Sequence, residues 1–513
     1  MPRDMITMRP VQRRVVFAMA VLAAAIPAAA WNAVSRRAAA PSAAGLPVEA
    51  LPEENPVDAR ARADFDAMRA FRPGFAFWQH VFTLPDHQIA FGSAADGRLL
   101  AVFPAQGNWT RPAAWTDRRL VSLLENEPLV RNMSDRREQV AHLLERAAGP
   151  VLHNSTRGDA LLRNTRRYGP FVAEWGAIYE RFGVPAHIGL GQVILESGLD
   201  GRRRSEAGAV GFCQWMQTNW RHLEHFASTP MDARNQTTQA PYCAAYLSVL
   251  ATKYGSFIPA LSEHNAGGTN VARALINGEH LGAKGVRARY LLGSKLALDL
   301  RELPGRDYET VYRSYGPRSY SYAEMVFGNT FVVRRLTSSI PQVAIHAMRT
   351  SRVVTMLEIV ELTGLTPDEV RRFNPALVDR VPARGMLYLP KHVEALGADV
   401  AFWRRPAAPS YAAVLDDFLR LEPGAERWDD ESFAPVLTQF RRRFRDTNTD
   451  EGAVMDTVLA YAMDQAYTSG RSALVAEFRD SQEVPLLIRR GVMELDALRR
   501  DRPLQVALAA RAR

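Results

Sequence analysis

The sequence predicts a mainly α-helical protein with more than one domain. A chain of 513 residues exceeds what a single hydrophobic core usually serves, so two to four domains are expected. Apolar residues recur at helical spacing in residues 170–183, 185–198 and 237–255, and the first two runs end at a glycine. Amphipathic patterns continue through residues 400–513, which carry no chemical motif and are interpreted as a helical accessory region.

The composition is that of a globular protein, and it excludes some classes of protein and partner. Hydrophobic residues make up 47% of the chain and charged residues 23%, which excludes a fibrous or wholly disordered protein. The net charge of +9 comes almost entirely from arginine and could attract an anionic polymer. Because the arginines are scattered among acidic residues, with no basic stripe interleaved with aromatic residues, a nucleic-acid partner is not expected.

The N-terminus has the layout of an export signal. Four arginines within the first 14 residues precede the apolar run VVFAMAVLAAAIPAAA, residues 15–30, which ends in small residues. A signal peptide over residues 1–30 is therefore predicted, and an uncleaved segment that tethers the protein to a membrane is the alternative. Residues 31–60 are rich in Ala, Pro and charge, and they predict a flexible linker. Residues 61–165 form a leader region with strand-like runs and a capped helix starting near Ser134.

The two cysteines, Cys213 and Cys243, are the only ones in the chain. An even number of cysteines in an exported protein favours a disulfide bond, whereas a cytosolic protein would keep them as thiols. The sequence leaves both alternatives open, because it does not show whether the two Cα atoms come within reach.

Glu196 follows the apolar run Val193–Leu195, where a carboxylate is costly to desolvate. Burial against apolar side chains raises the pKa of a carboxyl group, and a raised pKa suits a general acid. The alternative is an ordinary glutamate exposed at a helix end. Asp200 and Glu206 follow in the next turns and are interpreted as solvated loop residues.

Three further motifs follow Glu196 along the chain. GAVGFCQWM combines Gly208 and Gly211 with Gln214, whose side chain offers an amide donor and acceptor. HNAGGTNV places Asn265 just before two glycines, and YSYAEMVFGN places Tyr322 at a turn into a helix. Each motif alone marks a turn more often than a site. Their order and spacing make them informative together.

In these motifs the sequence resembles the Slt-type lytic transglycosylases of glycoside hydrolase family 23, over roughly residues 168–335. Glu196 and Ser197 match the family's Glu-Ser motif, and GAVGFCQWM matches its Gly-Leu-Met-Gln motif. HNAGGTNV matches the Ala-Tyr-Asn-Ala-Gly motif, except that Glu263 and His264 stand where Ala-Tyr is usual. Tyr322 takes the place of the family's tyrosine before the final helix. The resemblance implies a goose-type-lysozyme-like helical fold for residues 166–335.

The resemblance also implies a reaction and a set of roles. Glu196 is expected to protonate the β-1,4 glycosidic oxygen between MurNAc and GlcNAc in peptidoglycan glycan strands, and then to act as a base while the C6 hydroxyl closes a 1,6-anhydro ring. The substrate thus supplies the function of the second carboxylate that ordinary glycosidases need. Ser197 and Gln214 are expected to position Glu196 and the N-acetyl group, and Asn265 and Tyr322 to hold the sugar and the acid.

No cofactor and no metal are expected, because the sequence has no metal-ligand spacing and no phosphate-binding loop. The resemblance implies a location in the periplasm, with the inner membrane as the alternative site of attachment. A hydrolytic muramidase of the same fold, and a non-catalytic protein that binds peptidoglycan, are the competing hypotheses for function.

The order of regions is similar to that of the membrane-bound lytic murein transglycosylase D group, in which LysM modules follow the catalytic domain. Residues 340–394 resemble a degenerate LysM unit of small α+β type, with a helix pair around Gly364 and a closing strand MLYLP. The Gly-Asp-Thr opening of such units is absent. Glycan binding by this unit and packing against the catalytic domain are therefore both open.

Overall fold

The computed structural model describes residues 55–511, apart from residues 107–108, 110–119, 121–122, 125–126, 229–230, 233, 304, 313–316, 394–408, 424–429 and 469. This part of the chain is mainly helical, as the sequence predicts. The predicted signal segment lies outside the described residues. Within them, no helix combines the length and the apolar character needed to cross a membrane.

The predicted linker is wrong for its last residues. Helix α1, Pro56–Phe71, begins inside the range 31–60, and the Asn55 side chain accepts a hydrogen bond from the Val57 amide at its start. Pro56 stands at the first helical position, where a missing N–H costs nothing. The remaining residues of that linker, 31–54, lie outside the described part of the chain.

The leader region contains a small antiparallel sheet beside short helices. A 3₁₀ turn at Pro73–Phe77 leads into α2, Trp78–Val81. The sheet has the order β2-β1-β3, with Phe91 of the central strand opposite Ala101 on one side and His153 on the other. Its strands are β1, Gln88–Ser93; β2, Leu99–Pro104; and β3, Val151–Ser155. Helix α3, Met133–Ala148, precedes β3 in the chain.

A group of helices around one buried helix forms the centre of the molecule. Its elements, with a short hairpin between α6 and α7, are α4, Asp159–Tyr168; α5, Val172–Arg181; α6, Ala186–Ser197; β4, Ala209–Val210; β5, Trp215–Met216; α7, Gln217–Phe226; α8, Gln236–Tyr254; α9, Phe257–Ala266; α10, Gly268–His280; α11, Val286–Asp299; α12, Glu309–Tyr312; and α13, Tyr322–Ser339. The predicted helices in 170–183, 185–198 and 237–255 are thereby confirmed.

Helix α6 is buried along most of its length between α5 and α13. Two glycines allow this close packing. A Cβ at Gly189 would lie 2.1 Å from the ring of Tyr179, and one at Gly191 would lie 2.8 Å from the carbonyl oxygen of Val326. The helix ends at Gly198, which adopts a left-handed conformation with φ of 58°. This ending places the last turn of α6 at the edge of the buried core.

The region that resembles a LysM unit contains two helices and two small two-stranded sheets. Its elements are β6, Ile345–Arg349; β7, Val354–Thr355; α14, Met356–Thr363; α15, Pro367–Phe373; β8, Arg380–Val381; and β9, Met386–Pro390. The predicted helix pair and the MLYLP strand are confirmed, and Thr366 and Glu369 form a capping box at the start of α15.

This unit packs against the central helices. The Tyr388 hydroxyl is hydrogen bonded to Thr238 of α8, and Asn235 donates a hydrogen bond to the Phe373 carbonyl. Phe373 also packs on Phe171, with ring centroids 4.9 Å apart. One of the two open alternatives for this unit, packing against the central helices, is therefore present in the structure.

The C-terminal region is helical, as predicted, and its buried side chains extend the central core. Its helices are α16, Pro409–Leu419; α17, Asp430–Asp446; α18, Asp450–Thr468; α19, Arg471–Asp480; and α20, Glu483–Arg511. Tyr411, Phe440 and Tyr461 belong to the same hydrophobic cluster as Ile188 of α6. The first helices of the leader, the central helices and α16 to α18 thus share one core, whereas the leader sheet with α3, and α19 with α20, contribute to separate clusters.

Candidate active site

Glu196 lies in the last turn of α6, with its side chain 17% exposed. Ile194 and the neighbouring core residues lie behind it, so the carboxyl group loses most of its hydration. This burial raises the pKa of Glu196 from 4.5 to about 7, and the hydrogen bond from Tyr322 opposes the rise. Glu196 therefore holds a proton near neutral pH, as a general acid must.

Tyr322 is the first residue of α13, and its hydroxyl donates a hydrogen bond to Oε1 of Glu196. Gln192, one turn before Glu196 on α6, donates from Nε2 to the same hydroxyl oxygen over 3.4 Å. Both Tyr322 and Gln192 are buried, so neither exchanges this contact for water. The structure thus brings together two predicted site residues that are separated by 126 positions, and it adds Gln192, which the sequence did not single out.

Ser197 is buried and bonded to the backbone. Its hydroxyl lies 3.1 Å from the Val193 carbonyl and 2.9 Å from the Phe212 carbonyl. The second contact ties the end of α6 to the turn that carries Gln214. Ser197 therefore holds the two halves of the site together, and its predicted contact with a sugar stays a prediction.

Gln214 occupies the turn between β4 and β5 in a left-handed conformation, with φ of 51°. Its Nε2 donates to the carbonyl oxygens of Arg203 and Gly211, each over 2.9 Å. These bonds fix the carboxamide against the backbone, and the side chain lines the same cavity as Glu196. The structure thus places Gln214 in the wall of the same cavity as the acid, and its predicted role in positioning Glu196 and the N-acetyl group stays a prediction.

The hairpin that carries Gln214 is attached to α8 by a disulfide bond. Cys213 and Cys243 are joined, with their Cα atoms 6.2 Å apart. The sequence left this bond open, and the structure contains it. Both residues are buried in the central core.

His264 lies behind Glu196 and is neutral. Trp215 donates from its indole N–H to Nδ1 of His264 over 3.3 Å, and Nε2 of His264 lies 3.0 Å from the Cys213 carbonyl oxygen. Because the indole can only donate, Nδ1 accepts and the proton sits on Nε2, which donates to Cys213. Burial lowers the pKa of His264 to about 4. A neutral imidazole 3.8 Å from Glu196 Oε1 supplies no positive charge that would lower the pKa of Glu196.

Asn265 follows His264 on α9, but its side chain is exposed and is not among the residues that line the cavity with Glu196. Its predicted role in holding the sugar therefore stays a prediction. Asp200 and Glu206 do not line the cavity either. Glu206 is exposed, in agreement with its interpretation as a solvated loop residue, whereas Asp200 is half-buried.

The cavity at Glu196 has a volume of about 260 Å³ and is walled by both the leader and the central helices. Leader residues that line it include Trp78, Asn154 and Arg157, none of which the sequence singled out. They belong to no motif, and only the folded chain brings them to α6. Among the described lining residues Glu196 is the one carboxylate. The described part of the chain contains no cluster of three or more His, Cys, Asp or Glu side chains suited to a metal ion.

Comparison with known protein families identifies one domain in this chain. Residues 175–284 match the family model of the transglycosylase SLT domain. The matched segment includes Glu196, Gln214 and His264, and it ends before Tyr322. No curated protein matches the chain. The match supports membership of this segment in the lytic transglycosylase family, whose substrate is peptidoglycan.

Proposed function

We propose that this chain, with an SLT transglycosylase domain at residues 175–284, cleaves the bond between MurNAc and GlcNAc in peptidoglycan and leaves a 1,6-anhydroMurNAc end. The observation that carries the proposal is a single protonated carboxyl group in the cavity. Glu196 is the one carboxylate among the described lining residues, and its pKa is about 7. Hydrolysis by the usual two-carboxylate routes needs a second acid at this place.

In the first step Glu196 is the general acid. Its proton passes to the glycosidic oxygen as the C1–O bond breaks, and the departing sugar leaves with a neutral hydroxyl group. Positive charge develops at the anomeric carbon, where the 2-acetamido oxygen of MurNAc can stabilise it. Gln214, which lines the same cavity, is suited to hold that acetamido group.

In the second step the Glu196 carboxylate is the base. It takes the proton of the C6 hydroxyl as that oxygen bonds to C1 and closes the ring, so the carboxyl group returns to its starting state. The Tyr322 hydroxyl, which donates to Oε1, stabilises the carboxylate between the two steps. The neutral His264 leaves the first step intact, because a positive charge there would hold the proton away from Glu196.

The finer identity of the protein is part of the proposal. The region order supports a likeness to the membrane-bound lytic murein transglycosylase D group, with residues 340–394 as a degenerate LysM unit. The arginine-rich, apolar N-terminus supports export to the periplasm, either with a cleaved signal peptide or with an uncleaved tether to the inner membrane. In that location the enzyme serves cell-wall remodelling.

The test is mass spectrometry of the products released from purified sacculi. An anhydro end is lighter by one water than a reducing end, so a lytic transglycosylase releases only the lighter products. Glu196→Gln is expected to abolish release, and Glu206→Gln, at an exposed glutamate outside the cavity, is the matched control and should retain it. Reducing-end products would make the protein a muramidase, and binding without release would make it a non-catalytic wall-binding protein.

A further inference from the structure

A second cavity lies beside the catalytic one and is lined by arginines. It has a volume of about 250 Å³, and its lining residues are Arg202, Arg204, Val210, Gln217, Trp220, Arg221, Glu224 and Arg234. We refer to it as the arginine cavity. Four of these side chains carry a positive charge, and Glu224 is the one carboxylate among the described lining residues. The cavity is therefore a concentrated positive site in a chain whose arginines are otherwise mixed with acids.

The guanidinium groups of this cavity outnumber the carboxylates near them. Arg202 lies 3.9 Å from Asp200, at the limit of an ion pair. Arg221 is attracted by Glu224 and Arg234 by Asp232, which leaves Arg204 without a salt bridge to a described residue. The buried Trp220 presents an apolar ring to the cavity, because its indole N–H already donates a hydrogen bond to the Val210 carbonyl. Like charges that face one cavity repel one another, and a bound anion removes that cost.

The arginine cavity and the catalytic cavity share one wall. The segment 202–204 runs between them: Arg203 lines the catalytic cavity with Glu196, while Arg202 and Arg204 line the arginine cavity. Arg204 pairs with Val210 of the hairpin that holds Gln214, so the wall is a narrow strip of extended chain. A strand is about 4.8 Å wide and an extended peptide spans about 3.3 Å per residue. A peptide of a few residues, attached to a sugar in the catalytic cavity, can therefore cross this wall.

We infer that the arginine cavity binds the carboxylates of the peptide stems that branch from the glycan strand in the catalytic cavity. The inference rests on the proposed function, since it takes peptidoglycan as the substrate, and it assigns a site for the charged part of that substrate. Guanidinium groups match carboxylates in shape and bind them through paired hydrogen bonds. The protein consequently binds strands with ionised peptide stems more tightly than strands whose stems are neutral.

The experiment measures the binding of soluble glycan strands by calorimetry at low ionic strength, with Glu196→Gln present in every protein to prevent cleavage. One batch of strands keeps its peptide carboxylates, and in the other batch they are converted to amides. The variant under test is Arg204→Gln/Arg221→Gln/Arg234→Gln. The matched control is Arg146→Gln/Arg442→Gln/Arg489→Gln, which removes the same charge at exposed arginines outside both cavities.

The control protein is expected to bind the carboxylate strands about tenfold more tightly than the amidated strands, a factor in keeping with charge-assisted hydrogen bonds at an exposed site. The test variant should bind both batches equally and as weakly as the control binds the amidated one. The corresponding Arg→Lys variant, which keeps the charge, should retain most of the preference and show that the fold tolerates changes at these positions. Raising the salt concentration should reduce the preference in every protein that has one.

Equal binding of the two batches by the control protein would overturn the inference, as would a test variant that keeps the preference. Because binding is measured without cleavage, the result is independent of the proposed reaction. If these proteins prefer carboxylate strands while the chain with Glu196 intact releases no anhydro product from sacculi, the catalytic proposal is contradicted and the peptide site is supported.

Discussion

The proton on Glu196 governs the chemistry at the scale of single residues. Burial raises the pKa of this carboxyl group to about 7, Tyr322 opposes the rise, and the neutral His264 does nothing to lower the pKa. The acid step needs the protonated form. We therefore expect kcat/KM on soluble glycan strands to be level below about pH 7 and to fall about tenfold per pH unit above it. A rate that rises between pH 7 and 9 would contradict the assignment of Glu196 as the acid.

Tyr322 provides an independent check of the same carboxyl group. Its hydrogen bond stabilises the ionised form, so Tyr322→Phe should raise the pKa of Glu196 further and move the alkaline limb of the pH profile to higher pH. The variant should also lower kcat by about tenfold or more, because the carboxylate formed after the acid step loses its donor. Tyr308→Phe, at a buried tyrosine in a separate apolar cluster, should change neither quantity.

The buried carboxyl group also has a cost for stability. Its pKa is about 7 in the folded chain, against 4.5 for the ordinary group, so its contribution is most favourable below about pH 4.5 and is lost as the pH rises through about 7. Glu196→Gln should therefore raise the free energy of unfolding at pH 8 by up to about 3 kcal/mol and change it little at pH 4. Denaturant unfolding at the two pH values measures this difference. An equal effect at both would show that the carboxyl group is not desolvated.

At the scale of elements, the β4–β5 hairpin depends on connections to the helices around it. The Ser197 hydroxyl reaches the Phe212 carbonyl, Gln239 accepts a hydrogen bond from the Phe212 amide, and Cys213 is bonded to Cys243 of α8. The carbonyl of Cys213 in turn accepts from His264. The disulfide thus supports both the turn that carries Gln214 and the histidine behind Glu196.

Loss of the disulfide should lower stability and activity together. The bond closes a loop of 30 residues, for which the loss of chain entropy in the unfolded state corresponds to about 3–4 kcal/mol. Cys213→Ala/Cys243→Ala should lower the free energy of unfolding by about that amount, measured with denaturant, and should lower kcat more than it raises KM. Since the chain has no other cysteine, a reductant should not affect the double variant. An unchanged kcat in a destabilised variant would limit the disulfide to a structural role.

The sequence predicts the elements of this site better than their surroundings. Helical spacing and glycine stops predict α6 and α8 closely, because such signals are local. The contact between Glu196 and Tyr322 follows from the motif order and is present. The wall formed by Trp78 and Arg157 could not be predicted, because those residues belong to no motif and reach the cavity only through packing of the leader on distant helices.

At the scale of the whole molecule, a buried ionic network explains why a glutamate stands at position 263. This residue stands where the resembling family has alanine, and it accepts hydrogen bonds from the Lys253 ammonium group and from Tyr254. Asp430 of α17 binds the same ammonium group over 2.7 Å, and Arg471 of α19 lies 3.4 Å from Glu263. A buried ionic network therefore joins the catalytic helices to the C-terminal region. The sequence does not show that Asp430 and Arg471 belong to this network, because 177 residues separate Lys253 from Asp430.

This network predicts how the C-terminal region depends on the centre. Lys253 and Glu263 are 4% and 3% exposed, so Glu263→Ala leaves a buried ammonium group with only Asp430 as its carboxylate partner. Breaking a buried pair on one side costs about 3–5 kcal/mol, whereas replacing both charges by apolar groups of similar size costs much less. Lys253→Met/Glu263→Leu should therefore regain most of the stability lost in Glu263→Ala, while Asp430 keeps Arg471 as a partner at 3.6 Å.

The comparison is made by denaturant unfolding, with the exposed pair Arg490–Asp307 as the control. Asp307→Ala should cost less than about 1 kcal/mol, because both side chains are more than half exposed. A double variant as unstable as Glu263→Ala would show that the charges are needed for a reason other than mutual compensation. If the double variant regains stability, the ionic network serves to fix the position of the C-terminal helices on the α8–α9 pair. The stabilising free energy of that contact then comes from the apolar core around Tyr461 and Tyr246.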